Sequence, residues 1–171
     1  MSGFDAKSFY RFSNDVYPGN TLSAGVFKDS NGDINMTIEG TFSSSENWQI
    51  YYQQGRYFLR NYDYGGDWQL GLDDNAKAIP RMMRRSGALG QQWTLTQGDE
   101  GKWTFTNGML GNGSWFALVG TNTIPGMQPS RSGNEWEITI NPSAGNPPEG
   151  NMMEDVDNFE VRYSEEVYSA D

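Results

Sequence analysis

The chain has 171 residues, carries a net charge of −10, and is rich in rings, with nine Phe, nine Tyr and six Trp. It contains no His and no Cys, which removes the usual proton shuttle near neutral pH, the thiol nucleophile, the thiolate metal ligand and the disulfide. A non-enzymatic protein is therefore expected, with no catalytic residues, no metal and no cofactor, and its negative charge does not suit a nucleic-acid backbone. No apolar run approaches the roughly 20 residues that span a bilayer as a helix. Met1 to Lys7 lack the basic and apolar regions of a signal peptide, so a soluble, cytoplasmic protein is expected, with secretion or cell-surface display left open.

The first element in chain order is a short strand, Tyr10-Arg11-Phe12-Ser13, closed by Asn14 and followed by a turn at Pro18-Gly19. Leu22-Ser23-Ala24 comes next, then Asp29-Ser30-Asn31-Gly32-Asp33. That stretch reads as a hairpin turn, because it lacks the twelfth-position Glu and helical flanks of a calcium loop. Ile34-Asn35-Met36-Thr37 and Asn47-Trp48-Gln49-Ile50 complete the set. A second set keeps the same order: Tyr57-Phe58-Leu59-Arg60 with Asn61, a Gly65-Gly66 turn, Leu70-Gly71-Leu72, Met82, then Gln91-Gln92-Trp93-Thr94-Leu95. The third is Trp103-Thr104-Phe105-Thr106 with Asn107, Gly111-Asn112-Gly113, Ala117-Leu118-Val119, Met127, then Glu135-Trp136-Glu137-Ile138.

Trp48, Trp93 and Trp136 are 45 and 43 residues apart, and Asn14, Asn61 and Asn107 are 47 and 46 apart. Met36, Met82 and Met127 keep the same beat, as do the Gly-bearing turns. Shared periodicity of this kind marks internal repeats, here about 9–54, 56–100 and 102–143. Alternation such as Trp103/Phe105 or Trp136/Ile138/Ile140 has the strand period. About four short strands per unit predict an all-β, closed architecture with pseudo-threefold symmetry. The three Trp rings are expected in equivalent buried positions, with the three Met as core fillers.

After Asn141-Pro142 the texture changes. Gly145-Asn146-Pro147-Pro148 reads as a linker, dividing a domain at 1–144 from an acidic tail at 145–171 with eight carboxylates against Arg162 alone. Met152, Val156, Phe159, Tyr163 and Val167 fit a helical stripe, Phe159, Val161 and Tyr163 fit a strand, and a solvated tail is the third reading. Arg81, Arg84 and Arg85, with Lys77 nearby, form the one basic cluster. It reads as a solvated loop, an anion site, or a dock for the tail.

Gln91-Gln92-Trp93 is a Gln-x-Trp element, with Asn47-Trp48 and Glu135-Trp136 one period either side. This triplication resembles the ricin-B-type β-trefoil lectins. Phe9-Tyr10-Arg11-Phe12-Ser13-Asn14, Ile34-Asn35-Met36-Thr37 and Gly90-Gln91-Gln92-Trp93-Thr94-Leu95-Thr96 are similar to ricin-B-like domains of filamentous fungi. The resemblance covers roughly residues 9–141 and implies a β-trefoil that binds a glycan or glycoprotein. It also implies what a sugar site needs: an Asp within Leu-Asp-Val, an aromatic ring, and an Asn or Gln near the Gln-x-Trp. Leu22-Ser23-Ala24, Leu70-Gly71-Leu72 and Ala117-Leu118-Val119 carry no such Asp. A two-residue shift in the second repeat brings in Asp73 or Asp74 beside Gln91, with Tyr64 or Trp68 as the ring. Those five residues are the expected carbohydrate site, binding weakly by stacking and carboxylate hydrogen bonds. Trp68 and Trp115 are taken as matching positions, each either core or glycan platform. The rival function is a protein-binding β-trefoil, a protease inhibitor or interaction scaffold, in which the sugar sites have decayed.

Overall fold

Alternate residues along the strands decide which side is buried, as in Tyr10 and Phe12 against Arg11 and Ser13. The computed structural model describes residues 3–24, 32–38, 44–74 and 76–161. Most of the turn at Asp29–Asp33, the Lys77 side chain, and Tyr163 and Val167 lie outside the described residues.

Twelve strands are present among the described residues, four to each repeat. The first repeat holds β1 (Tyr10–Ser13), β2 (Asn20–Ser23), β3 (Asn35–Ile38) and β4 (Trp48–Gln53). The second holds β5 (Arg56–Asn61), β6 (Trp68–Asp73), β7 (Ala76–Arg84) and β8 (Trp93–Gln97). The third holds β9 (Trp103–Asn107), β10 (Trp115–Ala117), β11 (Gly126–Gln128) and β12 (Glu137–Ile140).

The first and fourth strands of each repeat are the staves of a barrel. Tyr10 pairs with Trp48, β4 with β5, Tyr57 with Trp93, β8 with β9, and Trp103 with Trp136. β12 then pairs with β1 from Tyr10↔Ile140 to Ser13↔Glu137, which closes the ring. The second and third strands form three hairpins, in which Leu22 faces Met36, Leu70 faces Met82 and Phe116 faces Met127. Six staves capped by three hairpins make a β-trefoil.

The repeat markers recur because each does the same physical work three times. Trp48, Trp93 and Trp136 are all fully buried. Each indole Nε1 donates to a hairpin carbonyl, of Leu22, Leu70 and Phe116, at 2.9, 2.9 and 2.8 Å. Each ring is thus packed and has its one donor satisfied. The three Asn side chains tie repeat to repeat. Asn14 Nδ2 donates to Gly133 O, Asn61 Nδ2 to Ser45 O, and Asn107 Nδ2 to Gly90 O. Each acceptor lies three residues before a core Trp of the neighbouring repeat. At the open end of the barrel Phe4 sits among Tyr10, Tyr57 and Trp103, with ring centroids 5.5, 6.0 and 4.7 Å away.

The acidic stretch departs from all three sequence readings over its described part. Residues 151–160 are neither helix, strand nor solvated tail. After one 3-10 turn at Asn151–Met153 they form an irregular strap against the outer face of β4 and β5. Met152 and Val156 are buried there, and Phe159 packs edge-on against Phe58.

The strap is gripped mainly by its main chain. Gln49 Nε2 donates to Met152 O at 2.7 Å. Gln53 clasps Val156 on both sides, donating to its carbonyl at 3.2 Å and accepting from its amide at 2.7 Å. Arg60, wholly buried on β5, reaches Met152 O at 2.9 Å and Glu154 O at 3.0 Å. Its guanidinium lies 4.1 Å over the Tyr51 ring. Gln92 Nε2 holds Glu160 O at 2.8 Å.

Arg85 donates to the carbonyls of Asn151, Glu154 and Asp155. Of the basic cluster, then, Arg85 holds the strap, and through carbonyls rather than through the acidic side chains. Arg81 pairs instead with Asp73, and Arg84 lies over Trp68. Burial, with the like charge of Arg85 second, lowers the Arg60 pKa to about 9. Burial, then the 2.7 Å bond that Tyr51 donates to Asp155, raises the Tyr51 phenol to about 12.

Candidate functional site

The five second-repeat residues fall in different places. Tyr64 belongs to the core and meets Trp68 edge-on, with ring centroids 5.7 Å apart. Trp68 packs its partly buried ring against that same core, and the Arg84 guanidinium sits 4.7 Å from its centroid. Gln91 is only 2% exposed, and its amide is spent internally. Its Oε1 accepts from Gln69 Nε2 at 2.6 Å and Ser86 N at 3.0 Å, while its Nε2 donates to Arg84 O at 2.9 Å.

Asp73 stands at the far end of β6, paired with Arg81 at 2.9 Å, and Asp74 is exposed beyond it. Trp68 and Asp73 are the two ends of β6, five residue steps apart, about 17 Å at the usual rise. The structure therefore brings Tyr64 and Trp68 together and keeps the carboxylates at the opposite end of the hairpin. The three Leu-Asp-Val positions are also filled. Ser23 bonds Ser45 at 2.6 Å, Leu118 is buried, and a Cβ on Gly71 would come within 2.7 Å of Gln91 Cγ.

Beside Trp68, a surface cavity of about 790 Å³ is lined by Asp67, Arg84, Arg85, Ser86, Gly87 and Ala88, with Asp157, Asn158 and Glu160 of the strap opposite. Guanidiniums and carboxylates face one another across it, and among the described residues no aromatic ring lines it.

A second groove lies between β8 and β9, with a volume of about 740 Å³. Its floor is two cross-strand threonine pairs, Thr94 opposite Thr106 and Thr96 opposite Thr104. One side is Asn112, Trp115, Arg131, Asn134 and Glu135; Gln97, Gly98 and Lys102 lie at the hairpin end. Arg131 sits 5.1 Å from the half-buried Trp115 ring centroid. Lys102 is paired with Asp15, and that bond raises its pKa. The groove offers what a sugar uses: a ring for the C–H face, and hydroxyl, amide and carboxylate groups for the hydroxyls.

Trp115 does not match Trp68. Trp68 lies two residues before Leu70 and shares its inward face. Trp115 lies one residue before Phe116, opposite Gln128, and turns to the outer face. One residue of offset flips the side chain. The position equivalent to Trp115 is Gln69. A signal for this was in the sequence, since Trp68 follows Asn61 by seven residues and Trp115 follows Asn107 by eight.

No family model matches the sequence, and no curated protein sequence is significantly similar to it. Solved structures do share its fold. A mosquitocidal holotoxin superposes with a TM-score of 0.68 at 19% identity, over 80% of this chain and 18% of the toxin. The lectin of Polyporus squamosus, bound to the influenza-binding epitope Neu5Acα2-6Galβ1-4GlcNAc, gives 0.62 at 16% identity, over 80% of this chain and 50% of the lectin. The designed threefold-symmetric protein ThreeFoil gives 0.58 at 17% identity, over 77% of this chain and 97% of the design. The chain thus spans about a fifth of the toxin and half of the lectin, and shares with them a β-trefoil fold. No described helix is long and apolar enough to cross a membrane, and the described residues hold no group of three or more potential metal ligands.

Proposed function

We propose that the chain is a carbohydrate-binding module that holds a glycan, free or on a glycoprotein, without cleaving it. The observation that carries this reading is Trp115, turned outward at the edge of a groove floored by threonine hydroxyls and flanked by Asn112, Asn134 and Glu135. The fold likeness to the Polyporus squamosus lectin and the resemblance to fungal ricin-B-like domains add support. Stacking on Trp115 supplies the apolar contact, Glu135 accepts hydroxyl bonds, and Asn134 fixes orientation. One shallow site with few polar contacts should bind with a dissociation constant of about 0.1–1 mM.

The test is a glycan array followed by titration with the free sugar. Trp115→Ala should abolish binding, and Glu135→Gln should weaken it severalfold, with the melting temperature little changed in either. Trp68→Ala and Asp73→Ala address the second-repeat residues Tyr64, Trp68, Asp73, Asp74 and Gln91. If binding is lost in those two variants and kept in Trp115→Ala, the glycan sits in the second repeat. Protein binding is the second reading, favoured by the filled positions at Ser23, Gly71 and Leu118. A wild-type protein silent across the array, yet retaining one partner protein, would put that reading first.

A further inference from the structure

The groove between β8 and β9 has a counterpart elsewhere in the molecule. Counting from the equivalent core Trp and stapling Asn residues, Thr94 corresponds to Gln49, Thr96 to Tyr51 and Gly98 to Gln53. On the neighbouring strand Thr104 corresponds to Phe58 and Thr106 to Arg60, while Glu135 corresponds to Gln92. Every one of those counterparts touches the strap 151–160 or, for Arg60 and Gln53, clamps it. Thus the place that is a cavity of about 740 Å³ between β8 and β9 is occupied, one third of a turn around the barrel, by an irregular length of the chain itself.

The occupied groove shows what the geometry accommodates. Gln49 and Gln53 hold Met152 and Val156, four strand residues apart, so the bound segment follows the staves for about 13 Å. Thr94 to Gly98 span the same distance, and that is longer than a single pyranose ring.

The chemistry of the two grooves differs in a directed way. The strap presents mostly carbonyls, and it is met by guanidinium and amide donors with Tyr51 and Phe58 beneath its apolar side chains. Between β8 and β9 those long donors and rings are replaced by short hydroxyl side chains. A hydroxyl both donates and accepts, which suits other hydroxyls rather than a run of carbonyls. The cations close by are engaged, Lys102 with Asp15 and Arg131 with the Trp115 ring, and Glu135 is a hydroxyl acceptor at the groove's side.

We infer that the β8–β9 groove takes a neutral, linear oligosaccharide lying lengthwise along the strands, rather than a lone terminal sugar; this rests on the glycan reading above. One sugar stacks at Trp115 beside Thr106. The following sugars run over Thr96 and Thr104 toward Gln97 and Lys102.

The experiment is titration of the intact chain with cello-, xylo-, chito- and laminari-oligosaccharides, each from the monosaccharide to the hexasaccharide, plus the truncation series of any array hit. Affinity should rise about tenfold or more with the first added sugars, since each well-placed contact of about 1.4 kcal/mol is worth that factor, and then level off. Thr96→Val and Thr104→Val keep the shape and remove the hydroxyls. They should flatten the length dependence, so that the longer sugars lose most of their advantage over the monosaccharide. Affinity that does not grow with length overturns the lengthwise site while leaving the glycan reading standing. No binding by any of these sugars and none on the array overturns the glycan reading itself.

Discussion

Two faces of one barrel, related by pseudo-threefold symmetry, have been put to opposite uses. On β4 and β5 the outward side chains are long and donor-rich, and the chain's own strap fills the groove they form. On β8 and β9 the outward side chains are mainly threonines, and the groove is a cavity. The backbone is the same in both. The difference teaches that in this fold the barrel scaffold and the content of its outer grooves are specified separately. Inward residues fix the first, and a handful of outward ones fix the second.

The sharpest way to break that comparison is to empty the filled groove. A chain ending at Ala144 still contains β12 and its pairing with β1, so we expect it to fold. It loses the burial of Met152 and Val156, each worth about 1.5–3 kcal/mol, and the hydrogen bonds that Arg60 donates to Met152 O and Glu154 O. Denaturant unfolding should show a loss on the order of 5 kcal/mol. An unchanged midpoint would mean the strap is an ornament rather than part of the structure.

A smaller effect separates the two grooves position by position. Gln53→Ala removes both hydrogen bonds to Val156 and leaves buried main-chain groups unpaired, at a cost of about 1–3 kcal/mol. The equivalent residue, Gly98, has no side chain to lose, and Thr96→Ala in the open groove should cost only about 0.5 kcal/mol or less. Equal costs on the two faces would show that the open groove is structural too.

The smallest effect is a titration. With its pKa near 12 instead of 10, the Tyr51 phenol keeps its proton in the folded state after the unfolded chain has begun to release it. Above about pH 10 the unfolded state binds fewer protons, so stability falls with rising pH. Tyr51's contribution is therefore complete below pH 10 and is lost as the pH passes 12. Arg60, lowered to about 9, acts in the opposite sense, so the comparison is wild type against Tyr51→Phe. The two stability curves should converge as the pH rises from 10 to 12. Curves that stay parallel would remove Tyr51 from the anchoring of the strap.

What was legible in the sequence follows from the same division. Trp48, Trp93 and Trp136 could be found because one physical task, filling the core and satisfying one indole donor, recurs at a fixed interval. Asn14, Asn61 and Asn107 were visible for the same reason. The outer grooves left no such mark. Gln49, Gln53 and Arg60 are outward strand residues of ordinary polar type, and their partners are carbonyls, which every residue has. No side-chain pattern in the strap could announce that pairing. Trp68 and Trp115 look equivalent because each follows a Gly-rich turn, yet the turns are equal in length and the two rings stand seven and eight residues after Asn61 and Asn107, on opposite faces of their strands. Asp73 and Asp74 were brought toward Gln91 by sequence proximity, whereas the hairpin carries them to its tip and the Gln91 amide turns to Gln69 and Ser86.

The asparagine joints have a consequence for the order in which the chain is made. Two of the three connect segments within 17 residues of each other, Asn61 with Ser45 and Asn107 with Gly90. The third, Asn14 with Gly133, bridges 119 residues. During synthesis the first two can form soon after their strands leave the ribosome, but the barrel remains an open, curved sheet until the third repeat emerges. Its first strand, with Tyr10 and Phe12 facing inward, must wait for β12 with the edge beside it unpaired. Contacts this distant in sequence make folding slow, and an unpaired apolar edge is a template for neighbouring chains. In a crowded translation system, the hazard for this protein lies in the interval between the emergence of residue 14 and that of residue 133.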